Sequence, residues 1–295
     1  MIIKLLTIAL FIFLTSFVSG QVERKVSSKK DESGMSKVDI GGKYGYIDEN
    51  GVEVIPCKYD YIGRWSRGKA KVKIGDLIGF IDKNGNEFIP VKYANIGRFN
   101  RGLAKVYIYS VPQVEEQGSS EILRPNYSKK EDEIKKPEPV KLYGLIDEDG
   151  EEIVPPKYHQ IGQFKEGRAK VVLNNKVGFI NKKGEEFVPC KYDQIGSFYD
   201  GWAKVTINSL VGFIDEDGNE IIPPRYDHIG RFNDGRAKIR YNDLWGFIDE
   251  KGNEVVPPKY ENVRNFSNGK AKFYLNGLKG FVDKKGNEVL ITKPN

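Results

Sequence analysis

From about residue 36 onward, apolar and polar positions alternate in short runs, and each run ends at a cluster of Gly, Asn or Asp. Alternation with a period of two predicts half-buried β-strands, and the clusters predict tight turns. The pattern also repeats on a larger scale. GFIDKNGNEFIPVKYANIGRFNRGLAKV, starting at Gly79, returns as GFIDEDGNEIIPPRYDHIGRFNDGRAKI, starting at Gly212. Equivalent glycines fall at Gly45, Gly79, Gly144, Gly178, Gly212, Gly246 and Gly280. Each interval is 34 residues except that from Gly79 to Gly144, which is 65 and so carries an insertion of 31. A fixed period of this length predicts a tandem array in which each repeat is one supersecondary unit.

Three strands are predicted in each period. The GFID stretch is the first, and it runs into a D-x-x-G turn such as Asp82-Lys-Asn-Gly85, where Gly supplies a left-handed conformation. NEIIPPRY is the second. Its Pro223 and Pro224 remove backbone donors, so this strand belongs at a sheet edge or at a bend. A connector, Ile229-Gly230-x-Phe232-x-x-Gly235, leads to the third strand, Ala237–Tyr241, in which apolar and basic residues alternate. Two-residue links such as Asn174-Asn175, Asn208-Ser209 and Asn242-Asp243 then join it to the next GFID strand, as a type I′ hairpin requires. The compact unit therefore begins at the third strand. Seven whole antiparallel meanders result, over about 36–59, 69–93, 103–158, 168–192, 202–226, 236–260 and 270–292. The insertion, at about 113–140, occupies the hairpin position of the third unit and is charged and Pro-bearing, as a disordered or extended loop would be.

Gly-aromatic-Ile-Asp, then x-x-Gly-x-Glu, Ile-Pro-Pro-Lys-Tyr and Phe-x-x-Gly-x-Ala-x-Val together resemble the WG-containing repeat, or KWG repeat, family of bacterial proteins. The resemblance covers residues 36–292. The Trp that gives the family its name survives only in Trp245-Gly246; the other units have Tyr44, Ile78, Tyr143, Val177, Val211 and Lys279 there. The resemblance implies an all-β repeat array with binding roles and no catalytic residues to carry over. The expected architecture is an open, twisted, solenoid-like array, because the end units depart from the repeat consensus as caps do; a closed, propeller-like ring of seven blades is the alternative.

Composition narrows the function. Only two His and two Cys occur in 295 residues, which leaves little for a zinc site or for His-based acid–base chemistry. No nucleophile–base pair, metal cluster or phosphate loop breaks the repeat consensus, so the chain reads as a non-enzyme without a cofactor. The net charge of +6 comes from 47 basic and 41 acidic residues interleaved along the chain, unlike the concentrated patch of a nucleic-acid binder. Residues 1–20 have the Lys4, apolar run and small Ser19-Gly20 of a secretory signal peptide, with residues 21–35 following as a flexible polar leader. The expectation is a secreted or periplasmic monomer with no membrane span once the signal is cleaved.

Several columns recur at the repeat spacing. Two aromatic columns, Tyr46/Phe80/Phe179/Phe213/Phe247/Phe281 and Trp65/Phe99/Phe164/Phe198/Phe232/Phe266, are expected to form the core. A third, Tyr59, Tyr93, Tyr158, Tyr192, Tyr226 and Tyr260, either packs between units or lines a ligand surface, with carbohydrate the fitting ligand for exposed rings. Lys71, Lys105, Lys170, Lys204, Lys238 and Lys272 form one basic column, and Lys58, Lys92, Lys157, Lys191, Arg225 and Lys259 another. Glu53, Glu87, Glu152, Glu186, Glu220, Glu254 and Glu288 form an acidic one. These charges read as cross-strand pairs on a solvated face, with a basic stripe for an anionic polymer as the functional alternative. The D-x-x-G sequences read as turns rather than calcium loops. Cys57 and Cys190, three repeats apart, read as free thiols. Two functions follow: an exported, non-catalytic scaffold that binds a protein or a surface polysaccharide, or a lectin-like protein that uses the tyrosine column or the insertion.

Overall fold

A computed structural model describes residues 23–30, 34–111 and 138–291. The signal-peptide segment 1–20 and most of the insertion at 113–140 lie outside the described residues. Every described regular element is a β-strand, and the strands form seven four-stranded antiparallel sheets, none closed into a barrel. The chain divides into two compact units, 1–92 and 93–295.

The first unit contains sheet I, with β1 (Arg24–Lys30), β2 (Ser36–Ile40), β3 (Lys43–Ile47) and β4 (Glu53–Tyr59). Sheet II follows with β5 (Tyr61–Ile62), β6 (Lys69–Ile74), β7 (Leu77–Asp82) and β8 (Glu87–Tyr93), whose last residue opens the second unit. Sheet III has β9 (Asn95–Ile96), β10 (Leu103–Ser110), β11 (Val140–Asp147) and β12 (Glu152–Tyr158). Sheet IV has β13 (Gln160–Ile161), β14 (Arg168–Leu173), β15 (Lys176–Asn181) and β16 (Glu186–Tyr192). Sheets V, VI and VII repeat the order over 194–226, 228–260 and 262–290.

The structure adds a strand to each predicted meander. In sheets II, III, IV, VI and VII the connector gives only two residues to it, as in Gln160–Ile161; sheet V extends it to Gln194–Tyr199. It pairs because the chain turns back after the tyrosine, so that His159 N–H donates to Val172 O and Gly162 N–H to Lys170 O, each at 2.8 Å. In sheet I this place is filled by β1, with Arg24 opposite Ile40 and Val26 opposite Val38. The flexible leader expected over 21–35 thus holds a strand, and the edge of β2 that would lack partners is paired.

The proline-bearing strand is outermost in every sheet that has one, as a strand short of donors must be. It also bulges. Between the pairs Val177↔Tyr192 and Phe179↔Val188, β16 advances four residues against two on β15. The bulge runs over Gly178, where a Cβ would stand 2.4 Å from Val188 O, so the GFID motif needs glycine for this close approach. The hairpin links take the predicted form: φ is 49° at Asn174 and 61° at Asn175, and 49° at Asn242 and 63° at Asp243.

The core lies between successive sheets. Leu145, Val154 and Tyr158 of sheet III pack against Ile161, Ala169, Val171 and Ile180 of sheet IV. The opposite face of sheet IV gives Phe179, Val188 and Tyr192 to a cluster with Ile195, Ala203, Val205 and Ile214 of sheet V. Phe179 and Ile180 are adjacent and face opposite ways, so both faces of one strand are used. The two phenylalanine-rich columns are only partly core: Phe247 is fully buried, Phe80 and Phe213 are half-buried, and Phe99 and Phe281 are exposed.

Candidate functional site

The six column tyrosines do not line a ligand surface. Tyr59, Tyr93, Tyr158, Tyr192, Tyr226 and Tyr260 have between 0% and 2% of their surface exposed and are among the largest fully buried side chains. This corrects the carbohydrate-facing reading, and the reason is the hydroxyl's partner. Tyr59 donates to Glu87 at 2.9 Å, Tyr158 to Glu186 at 2.7 Å, Tyr192 to Glu220 at 2.8 Å, Tyr226 to Glu254 at 2.6 Å and Tyr260 to Glu288 at 2.7 Å. Tyr93 donates to Glu152 at 2.6 Å across the insertion. With its polar tip satisfied, each ring can be buried whole.

The basic residue just before the tyrosine reaches the same glutamate. Lys58 meets Glu87 at 2.8 Å, Lys191 meets Glu220 at 3.0 Å, Arg225 meets Glu254 at 3.4 Å and Lys259 meets Glu288 at 2.6 Å. From Glu87 onward the acidic column is therefore a set of clamps between successive sheets and not a solvated face. Burial, then the bond to glutamate, raises all six phenol pKa values, that of Tyr226 to about 12. Burial pushes Glu87 up, but its bonds from Lys58, Tyr59 and Val91 N–H together hold it below the usual carboxylate value.

The other basic column leads to a cavity. Between sheets III and IV a groove of about 440 Å³ is lined by Lys105, Lys170, Tyr143, His159, Gln160 and the Ile161–Gly162 backbone. Its size lies within the range of small-ligand sites. Strands β10 and β14 place the two lysines. Lys105 bonds Ile161 O of the facing sheet with donors to spare, whereas the ammonium of Lys170 is directed to sheet V, where it bonds Ile195 O at 2.9 Å. The Lys105 ammonium lies 5.9 Å from the centre of the Tyr143 ring.

No carboxylate stands among the described residues that line this groove. After four of the other column tyrosines the position of His159 is acidic, and after Tyr93 it is Ala94. Asp60 accepts from Gly75 N–H at 2.7 Å, Asp193 from Asn208 N–H at 2.6 Å, Asp227 from Asn242 N–H at 3.0 Å and Glu261 from Asn276 N–H at 3.1 Å. His159 Nδ1 does the same for Asn174 N–H at 3.2 Å, without bringing a negative charge. Bonds from Lys43 and Gly75 N–H lower the pKa of Asp60, and those from Lys176 and Asn208 N–H lower that of Asp193, which keeps these two counterparts ionised. The described lining of the groove thus carries the Lys105 charge and no carboxylate.

Tyr143 occupies the position at which Trp245 stands in sheet VI. Trp245 lies under Lys238 at 5.1 Å and beside His228 at 5.8 Å. Burial, then Lys204, Lys238 and Arg240, lowers the pKa of His228. In sheet I, Lys37 sits 4.0 Å above the ring of Tyr44. Where the position before the GFID glycine is aromatic, a lysine from the facing strand covers it.

The D-x-x-G aspartates are engaged in their turns. Asp82 Oδ1 accepts from Asn84 N–H at 2.8 Å and Asn86 N–H at 2.9 Å, and Asn181 plays the same part in its own turn. Among the described residues no group of three or more His, Cys, Asp or Glu is placed to hold a metal ion. Cys57 and Cys190 are free, half-buried thiols; burial above all raises both pKa values, that of Cys190 to about 11.

One further cluster was not singled out from the sequence: Tyr107, Tyr109 and Lys141 beside Tyr143, on the hairpin that carries the insertion. Tyr107 lies 5.7 Å from Tyr109 and 5.5 Å from Tyr143, ring centre to ring centre. The alternation Lys105-Val-Tyr107-Ile-Tyr109 was the available signal, since it puts Tyr107 and Tyr109 on one face with Lys105.

Seven sheets of one pattern, cemented by buried tyrosine–glutamate clamps, define an all-β tandem-repeat protein. The WG containing repeat matches residues 44–77, 78–109, 143–176, 178–210, 212–245 and 245–278, and the chain belongs to that family. None of the curated proteins matches it. Among solved structures, one similar chain is PorZ, a surface component of the type-IX secretion system of Porphyromonas gingivalis, at 8% identity and a TM-score of 0.25. That match covers 90% of this chain and 38% of PorZ. Another is the extracellular domain of the putative one component system BT4673 of B. thetaiotaomicron, at 9% identity and a TM-score of 0.23, covering 90% of this chain and 48% of that one. A third is the AfRom2 CNH domain, at 9% identity and a TM-score of 0.21, covering 92% and 96%. This chain spans less than half the length of the first two.

Proposed function

We propose that the protein is an exported, non-catalytic repeat scaffold that binds an anionic polymer of the cell surface. The observation that carries this reading is the groove between sheets III and IV, which Lys105 enters beside Tyr143 and where His159 stands at a position that is acidic in four other units. A carboxylate-free, lysine-lined cleft raises the local concentration of anions and favours their entry. Export rests on the sequence of residues 1–20; among the described residues no helix is long and apolar enough to cross a membrane. The side chains with the most perturbed pKa values, the six tyrosines, are locked in structural clamps, which supports a binding role over a catalytic one.

The test is equilibrium binding of the purified chain to poly-L-glutamate and polygalacturonate over a range of salt. Binding that weakens as salt rises, and that falls in a Lys105→Gln variant of unchanged melting temperature, is the expected result. A chain that binds neither polymer at low salt overturns the reading.

A further inference from the structure

The hairpin of sheet III is longer than its counterparts. In sheet IV, β14 and β15 pair six residues deep and stop at Leu173↔Lys176. In sheet III the equivalent pair is Ile108↔Leu142, and the ladder continues through Tyr109↔Lys141 and Ser110↔Val140. Tyr109 and Lys141 therefore stand beyond the rim at which the hairpins of sheets II and IV to VII turn back.

Three tyrosines meet where this extension begins. Tyr107 faces Tyr143 across the strands, and Tyr109 lies next to Tyr107, with interplanar angles of 60° and 81°. Lys141 sits 4.9 Å from the centre of Tyr107 and 5.9 Å from that of Tyr109. Tyr109 is 55% exposed. Among the described residues no other hairpin has two aromatic rings at the Tyr107–Tyr143 pair: the counterparts are Asp39/Tyr44, Lys73/Ile78, Val172/Val177, Thr206/Val211, Arg240/Trp245 and Tyr274/Lys279. Because Tyr143 and Lys105 also line the groove, the shelf and the cleft are one continuous surface.

We infer that this surface is a subsite for an acidic oligosaccharide, an inference that rests on the scaffold reading and names the class of polymer. A pyranose ring has an apolar C–H face and an equatorial rim of hydroxyls, and a uronic acid adds a carboxylate. Tyrosine offers a rigid amphipathic surface to such a ring at a low entropic cost. Gln160 and the tyrosine hydroxyls suit the sugar hydroxyls, and Lys105 and Lys141 suit the carboxylates. The angled rings favour separate sugar units over the parallel stacking of successive nucleic-acid bases.

The experiment titrates the purified chain with oligogalacturonate, its neutral galactose counterpart, poly-L-glutamate and oligothymidylate. Tyr109→Ala should weaken oligogalacturonate binding about fivefold while leaving poly-L-glutamate unchanged. Tyr199→Ala, at a ring 80% exposed in sheet V, should change neither and serves as the control. Lys105→Gln should weaken both polyanions, and the neutral galactose oligomer should bind more weakly than the acidic one. Melting curves confirm that each variant is folded. If Tyr109→Ala and a folded Tyr107→Ala bind oligogalacturonate as the parent does, the shelf is not a sugar subsite, although the scaffold reading stands. Tyrosine-dependent binding of oligothymidylate in place of the sugar overturns the inference in favour of nucleic acid. Binding of poly-L-glutamate alone overturns it in favour of an acidic protein. Failure of every polyanion removes the scaffold reading itself.

Discussion

Deleting one oxygen from Tyr192 leaves its ring in place and takes a donor from Glu220, which keeps Lys191 as a charged partner at 3.0 Å. Hydrogen bonds to charged groups are the stronger kind, but this carboxylate is 27% exposed and can recover part of the loss from water. Tyr192→Phe should therefore destabilise the chain by about 1–2 kcal/mol. Tyr192→Ala, which also empties the space of a buried ring, should cost about 3–5 kcal/mol. Urea unfolding measures both, and equal losses would show that the ring itself adds nothing beyond its hydroxyl. The phenols also set an alkaline limit. A folded pKa raised above the unfolded value gives stability that is complete below the unfolded value, near 10, and that is lost as pH rises towards the folded one, about 12 for Tyr226. Glu87 and Glu288 have lowered folded values, so their contribution is present above the ordinary carboxylate range and disappears as pH falls through the folded values. The melting temperature should accordingly hold across neutral pH, decline in acid and fall again above about pH 10. A flat profile through about pH 11 would mean that the phenols are not held neutral by the fold.

At the scale of the element, the hairpins were the most legible part. Alternating strands joined by Asn-Asn or Asn-Asp define both the turn type and the side each residue faces, and Asn174-Asn175 adopts the expected left-handed pair. Strands such as Gln160–Ile161 were not legible, because two residues cannot show alternation and their pairing depends on where the preceding tyrosine turns the chain. The sequence left the tyrosine column open between packing and a ligand surface for a related reason. A tyrosine buried by its ring looks like an exposed one until its acceptor is known, and the acceptor is a glutamate 28 residues on in five of the six pairs. Both columns were visible, but the pairing across sheets was not. The shelf was hidden because the insertion interrupts the repeat between Tyr109 and Lys141. Replacing residues 109–141 by Asn-Gly restores the six-pair hairpin of sheet IV and should leave a folded chain whose melting temperature moves by only a few degrees, about the effect of 1 kcal/mol. A loss much larger than that would show that the removed segment supports the sheet.

Over the whole molecule, what a residue contributes depends on which sheet lies beyond it. Phe247 and Phe281 hold the same place in the GFID motif, yet Phe247 is fully buried and Phe281 is 40% exposed. Phe247, with Val256 and Tyr260, packs on Val263, Phe266, Ala271, Phe273 and Val282 of sheet VII. On sheet VII itself, Val289 and Leu290 are 67% and 55% exposed, and no further sheet follows among the described residues. In an array stabilised by nearest-neighbour interfaces, the terminal unit contributes one interface where an inner unit contributes two. Phe247→Ala should therefore cost about 3–5 kcal/mol, as a cavity in a packed interior does, and lower the melting temperature sharply. Phe281→Ala removes a ring that water already reaches, and should cost about 1 kcal/mol or less. Denaturant unfolding of the two variants side by side decides the matter. Equal losses would mean that Phe281 is covered in solution and that the outer face of sheet VII is a buried surface, not an end.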